Sequence, residues 1–150
     1  MPPPAPAGVR IRPGRRGDSD ALAALLKELG YKEAADSQTL NWVISHPEVE
    51  VIVAVDSGDR AIGMATLSHR PQLRLRGRTG TIEELVVTES WRRKGVGKAL
   101  LMQTVTRAKA LSVRRLELAT HGQKADPGTV AFCEAAGFTL EDVTVFTRVP

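Results

Sequence analysis

The chain has 150 residues, and 21 basic against 17 acidic side chains give it a formal net charge of +4. That length favours one domain able to bury about 70% of its unfolded surface, and a single cysteine, Cys133, excludes an internal disulfide framework and points to a reducing, cytoplasmic setting. No apolar run approaches the roughly 20 residues of a membrane span, and aromatics at 4% are too few for a base-stacking surface, so a membrane is excluded as a partner and nucleic acid is disfavoured; the surplus charge itself favours polyanions in general and does not distinguish nucleic acid from a phosphorylated cofactor.

Residues 1–8, Met-Pro-Pro-Pro-Ala-Pro-Ala-Gly, lack an apolar signal core and read as a flexible or polyproline tail ahead of one domain over 9–150. A short strand is expected at 9–13. Asp18 or Ser19 then caps a helix whose Leu22, Leu25, Leu26 and Leu29 recur at helical spacing, with Gly30 as its stop. A second helix starts near Asp36 or Ser37, buries Leu40, Val43 and Ile44, and ends before Pro47. Residues 49–55 and 61–68 form a hairpin around Asp56-Ser57-Gly58-Asp59. The stretch 70–80, with four arginines, reads as an exposed strand end or loop. A strand follows at 82–88, then a helix to about Leu111 with Leu101, Val105 and Ala108 as its buried stripe and Leu100 and Leu111 beside it. Residues 114–119 return as a strand. Asp126-Pro127-Gly128 opens a short helix closed by Gly137, and 143–149 alternates as a final strand.

The most informative stretch is Arg92-Arg93-Lys94-Gly95-Val96-Gly97-Lys98, between a strand and a helix start. The first N–H groups of a helix have no internal partner, and the helix dipole adds positive potential there. Glycine lets a large anion approach that backbone. A Walker-type loop is excluded because Arg92 stands at its first glycine position and Ala99 follows Lys98, which removes the magnesium-binding hydroxyl. A dinucleotide fingerprint is excluded because Leu100 stands where its third glycine belongs. What remains is Arg92-x-x-Gly95-x-Gly97.

In that motif and its strand-to-helix setting, the chain resembles the GNAT superfamily of N-acetyltransferases. The resemblance runs from Val9 onward and includes Ile11-Arg12-Pro13, the hairpin, and the closing Phe132-Cys133-Glu134-Ala135-Ala136-Gly137-Phe138. It implies an α/β (α+β) fold with a mixed, mostly antiparallel sheet of six to seven strands flanked by about four helices. It also implies acetyl-CoA as the donor. Backbone N–H groups from Arg93 to Lys98, through Lys94, Gly95, Val96 and Gly97, would cradle the pyrophosphate, with Arg92 and the other cations nearby. The pantetheine arm would pair with the backbone of Leu85, Val86 and Val87, and a main-chain N–H near Val86 or Val87 would face the thioester oxygen.

Attack on a thioester needs a neutral amine, so a base is required. Glu83 and Glu84 are the only acids in the strand leading to that point. Alternation lets one of them face the substrate. The family register favours Glu83, with Glu84 second, and a bulge would reverse the order. The family's closing-helix tyrosine is replaced by Cys133, which leaves three readings: a packed residue, a weaker proton donor for the departing thiolate, or an acyl-accepting nucleophile. Asp126 stands where relatives hold a cofactor-contacting asparagine.

The acceptor is a small-molecule or peptide amine. Within other classes, a non-catalytic CoA-binding module is the main alternative, and a basic nucleic-acid binder is the weakest. Arg70, Arg74, Arg76 and Arg78 suit a solvated edge, an acidic acceptor, or a partner subunit in a homodimer. His46, His69 and His121 are too scattered for a zinc site.

Overall fold

A computed structural model describes residues 3–31, 33, 36–119 and 127–150. The chain divides into two compact units, Met1–Ala119 and Thr120–Pro150. In the first, β1 (Arg10–Pro13), β2 (Val49–Val55), β3 (Ala61–Gln72), β4 (Gly77–Val87) and β5 (Val113–Leu118) form one sheet in chain order. All neighbours are antiparallel except β4 and β5, which run parallel. Helices α1 (Ser19–Leu29) and α2 (Ser37–Ile44) precede β2, and α3 (Val96–Ala110) makes the crossover between the parallel strands.

The period-two alternation of β2 splits the core. Val51, Val53 and Val55 pack with Leu22, Leu25, Leu26 and Leu40 on the α1/α2 face, while Ile52 and Ala54 pack with Val96 and Leu100 on the α3 face. Helix α1 ends where the sequence places its stop. Gly30 has φ +103°, its N–H donates to Lys27 O, and Tyr31 N–H donates to Leu26 O at 2.9 Å. This paired arrangement satisfies the last carbonyls and needs a left-handed residue, which glycine supplies without a Cβ clash. Asp36 caps α2 by accepting Thr39 N–H at 2.8 Å. Asp18 stands at the α1 N-cap position but makes no capping bond; Arg12 takes its carboxylate instead.

Three sequence expectations are corrected. The buried stripe of α3 runs through Val96, Leu100, Leu101, Thr104 and Ala108, and Val105 is half-buried. Thr104 tolerates the core because its hydroxyl donates to Leu100 O at 2.8 Å. The arginine-rich stretch is a hairpin end: β3 continues to Gln72, a 3-10 turn spans Leu73–Leu75, and β4 starts at Gly77. Among the described residues the sheet has five strands, not six to seven, with four α-helices.

The missing strand is 143–149, in the second unit. That unit holds α4 (Pro127–Ala135), which ends in the same paired geometry as α1: Phe138 N–H donates to Cys133 O, Gly137 N–H to Glu134 O, and Gly137 has φ +91°. Beyond it, 143–149 pairs with no strand among the described residues, and Phe146 is 94% exposed. Alternation makes a segment fit for a sheet, but a strand exists only where a neighbour completes its hydrogen bonds.

Candidate active site

Strand β4 carries a bulge. Glu84 stands opposite Thr66 and Ile82 opposite Leu67, so Glu83 is the extra residue. Strict alternation would send Glu83 and Glu84 to opposite faces. The bulge brings them to one face: Thr66 Oγ1 donates to Glu84 Oε1 at 2.6 Å, and Ser68 Oγ donates to Glu83 Oε1 at 3.1 Å. Thr66 and Ser68 are two apart on β3 and therefore share a side. The expectation that only one glutamate can face a substrate is overturned by this geometry.

Glu84 is held by two further bonds. Its N–H donates to Thr66 Oγ1 at 3.1 Å, and Tyr31 Oη donates to its Oε2 at 3.1 Å. Tyr31 arrives there because the Gly30 turn ends α1 over this part of β4. Burial raises the Tyr31 phenol above its usual range, and the negative charge of Glu84 adds to the effect. The hydroxyl thus stays protonated and can donate.

Just past the bulge, β4 parts from β5. The last pair is Ile82 with Leu118, and Ala119 N–H reaches Ile82 O at 3.4 Å. From Glu83 to Val87 the strand has β3 on one side and, within Met1–Ala119, no strand on the other. Thr88 N–H donates to Ile62 O on β3. By alternation, Val86 also turns its peptide groups toward β3, whereas Leu85 and Val87 turn theirs to the open side. The side chains of Leu85 and Val87 pack on the α3 face.

The turn from β4 to α3 is tied to α1. Glu28 accepts Thr88 Oγ1 at 2.8 Å and Glu89 N–H at 3.0 Å. Arg92 Nε donates to Val87 O at 2.9 Å, and its Nη2 lies 3.5 Å from Glu28 Oε1. Arg92 therefore braces the turn. Arg93 and Gly95 have φ +60° and +87°. Left-handed residues alternating with ordinary ones curl successive N–H groups around a concavity, the kind of nest that receives anions. Gly95 meets its φ at no steric cost, whereas Arg93 is strained. The first bond inside α3 is Ala99 N–H to Gly95 O, so Val96, Gly97 and Lys98 carry N–H groups ahead of it. Arg93, Lys94 and Lys98 are exposed, Lys94 Nζ lies 5.1 Å from the Trp91 ring centroid, and Val96 is anchored in the core. Pro6 of the N-terminal tail runs beside this turn: a Cβ on Gly95 would meet its Cγ at 3.6 Å. An exposed cationic turn of free N–H groups fits a pyrophosphate.

Cys133 is half-buried on α4, and burial pushes its thiol up, away from the thiolate a nucleophile needs. Asp126 and His121 lie outside the described residues. His46 follows α2 and accepts Glu48 N–H through Nδ1. His69 is buried on the face opposite Ser68, with Arg78 Nη1 3.2 Å from its Nδ1. It is thus turned away from the two glutamates. No group of three or more metal-ligating side chains occurs among the described residues, and no described helix is long and apolar enough to cross a membrane.

Sequence reasoning missed Tyr31, Thr66, Ser68 and Glu28. Two signals were present. Tyr31 is the only tyrosine and directly follows a helix-stopping glycine, and Thr66 and Ser68 are the polar residues in an otherwise apolar hairpin strand.

The model of the acetyltransferase (GNAT) family matches residues 20–138. No curated protein matches at a significant level. Many solved structures share the fold. A Trypanosoma brucei acetyltransferase is 20% identical with a TM-score of 0.76, covering 94% of this chain and 99% of its own. The glucosamine-6-phosphate N-acetyltransferase of Arabidopsis thaliana is 17% identical with a TM-score of 0.78, covering 95% and 99%. An aminoglycoside acetyltransferase from an uncultured soil metagenomic sample, in complex with sisomicin, is 20% identical with a TM-score of 0.75, covering 95% and 96%.

Proposed function

The chain belongs to the acetyltransferase (GNAT) family, and from that premise we propose that it moves an acetyl group from acetyl-CoA to a primary amine by direct attack in a ternary complex. One observation carries the reading. Within residues 83–98, two hydroxyl-held carboxylates, an open strand edge and a nest of N–H groups follow one another in the order that an amine, a thioester arm and a pyrophosphate require.

In this reading the N–H groups from Arg93 to Lys98 receive the pyrophosphate, and Arg93, Lys94 and Lys98 add charge. The peptide groups of Leu85 and Val87 hold the pantetheine arm. The oxyanion donor is the Val87 N–H, since Val86 directs its own toward β3. The bulge promotes Glu84 to first place as the base. A carboxylate fixed by Thr66 and Tyr31 keeps a free lone pair on each oxygen, and a base whose position is locked acts at lower cost. Glu83 lies beside it and attracts an ammonium acceptor. Cys133 is assigned to packing. The names of two structural neighbours, a glucosamine-6-phosphate N-acetyltransferase and an aminoglycoside acetyltransferase, accord with an amine acceptor in general. One domain over 9–150 is supported by a family match that crosses both compact units, and a cytoplasmic setting by the single cysteine.

Isothermal titration with acetyl-CoA, followed by a thiol-release assay over amines, tests the assignment. Binding is expected in the micromolar range, and Gly97→Glu should weaken it about a hundredfold by placing a side chain and a negative charge in the nest. Absence of binding, or equal binding by Gly97→Glu, overturns the reading.

A further inference from the structure

The two strands that carry the carboxylates do not stop at the site. Strand β2 makes its last pair with β3 at Val49 and Ser68, while β3 runs on to Gln72 and returns through Leu73–Leu75 to β4. From His69 to Ile82 the sequence holds Arg70, Arg74, Arg76 and Arg78 and no acid. Arg70, Arg74 and Arg76 are exposed, and among the described residues no carboxylate lies within 4.0 Å of them. Elsewhere in the same unit several arginines meet carboxylates: Arg10, Arg12 and Arg15 meet Asp59, Arg92 meets Glu28, and Arg107 meets Glu50. The hairpin end is braced by Arg114, whose Nη1 donates to Leu75 O at 3.3 Å and whose side chain fills the space above Gly77. At its tip Leu73 is 98% exposed between these cations. Arg70 is two residues beyond Ser68 and so shares its face with Glu83 and Glu84.

We propose that this hairpin end is the docking surface for an acidic segment of a polypeptide whose amine reaches the paired glutamates, an assignment of the acceptor class that rests on the acetyltransferase reading above. The tip lies about five residues, or roughly 17 Å, from Ser68 along the strand. An extended acceptor spans that distance, and a small amine does not. An unpaired cationic surface attracts anions at long range and orients them. A peptide is favoured over nucleic acid by two features of the site. The hairpin end has no aromatic ring on which a base would stack, and the exocyclic amines of bases are delocalised and weakly nucleophilic, whereas a lysine or α-amino group suits attack on a thioester. Leu73 offers an apolar anchor to a peptide that mixes acidic and apolar residues.

The test uses the full chain and three fluorescent probes. One is a peptide with a lysine and a run of glutamates about five residues away. The second has glutamines in their place, and the third is a short generic DNA duplex. Anisotropy without acetyl-CoA reads docking alone, and thiol release reads transfer. The glutamate peptide is expected to bind about tenfold tighter than the glutamine peptide, with the difference in KM and not in kcat, and to lose that advantage at high salt. Arg70→Glu/Arg74→Glu/Arg76→Glu should abolish the preference while leaving acetylation of a small amine unchanged, and Arg74→Gln/Arg76→Gln should reduce it without charge reversal. Circular dichroism checks that both variants fold. Equal binding of the two peptides, preference retained in the triple variant, or tighter binding of the duplex overturns the proposal. If the glutamate peptide docks but no amine yields thiol, the acetyltransferase reading fails and the docking surface stands. Transfer to small amines without a peptide preference defeats the surface alone.

Discussion

Two sets of acids in the first unit are treated in opposite ways. Asp18 is buried and grips Arg12 through both oxygens, at 2.8 and 2.9 Å, and Arg12 also reaches Asp59 at 3.0 Å. Glu84, half-buried on β4, is met by hydroxyls from Tyr31 and Thr66, and no cation lies within 4.0 Å of it among the described residues. Burial works to raise the Asp18 carboxyl, but the Arg12 bonds and the Arg15 N–H outweigh it and hold the group below the ordinary carboxylate range. A carboxylate committed to a guanidinium is locked in its charged form and serves structure. One fixed by neutral hydroxyls keeps its orientation without being committed to a cation.

The largest effect should come from breaking the first set. Arg12→Ala leaves the buried Asp18 without its cation and is expected to lower stability by about 3–5 kcal/mol, read by urea denaturation at pH 7. Acetyl transfer measured well below the melting temperature should persist in the folded fraction. In the second set the signs reverse. Glu84→Gln should cut kcat near neutral pH by about a hundredfold, Glu83→Gln by less, and both should unfold within about 1 kcal/mol of the parent. The opposite ranking would return the base to Glu83, and a stability loss as large as that of Arg12→Ala would make the Glu84 cluster structural.

The contrast shows what the sequence could and could not carry. Elements came through because each has a local cause: Gly30 and Gly137 end helices by adopting φ values open to few residues, Asp36 caps α2, and Asp56-Ser57-Gly58-Asp59 turns the hairpin. The anion turn was legible for the same reason, since its donors are main-chain and its two glycines stand one residue apart. The side of the sheet taken by Glu83 was not legible. It depends on one extra residue against β3, and a bulge is decided by pairing between strands that no local pattern records. Tyr31 and Glu84 are 53 residues apart, and only the end of α1 brings them together. The strand expected at 143–149 failed from the other direction: its local pattern was right, and the neighbour it needed is absent among the described residues.

A smaller change sharpens the second set. Tyr31→Phe removes one hydroxyl from Glu84 and leaves the ring in place. A single hydrogen bond to a charged group is worth roughly 1.5–3 kcal/mol, shared here with Thr66. The expected outcome is a fall in kcat of about tenfold with KM for acetyl-CoA unchanged. If Tyr31 merely packed, the rate and the pH profile would both be unmoved. If it positions Glu84, kcat should fall in Tyr31→Phe and not in the packing control Leu29→Met.

The smallest effect is a pH dependence that separates the first set from the buried His69. Burial holds the His69 imidazole below its usual range, and Arg78 reinforces this, so the folded chain prefers the neutral ring. The unfolded chain takes up a proton below about pH 6.5, and the folded chain does so only at lower pH. Stability therefore falls as pH drops below that value, by at most about 1.4 kcal/mol per pH unit from this one group. Asp18 acts later. Its folded carboxyl titrates below the unfolded one, so its contribution is complete above about pH 4 and is lost as pH falls through the lower, folded value. Urea midpoints measured between pH 8 and pH 3 should thus show two limbs. His69→Gln should flatten the upper limb and leave the lower one, whereas Asp18→Asn should lower the midpoint at every pH above 4 and weaken the lower limb, to which Asp59 and Asp36 also contribute. A wild-type curve flat from pH 6.5 to 4.5 would mean that His69 finds a proton partner in the folded chain.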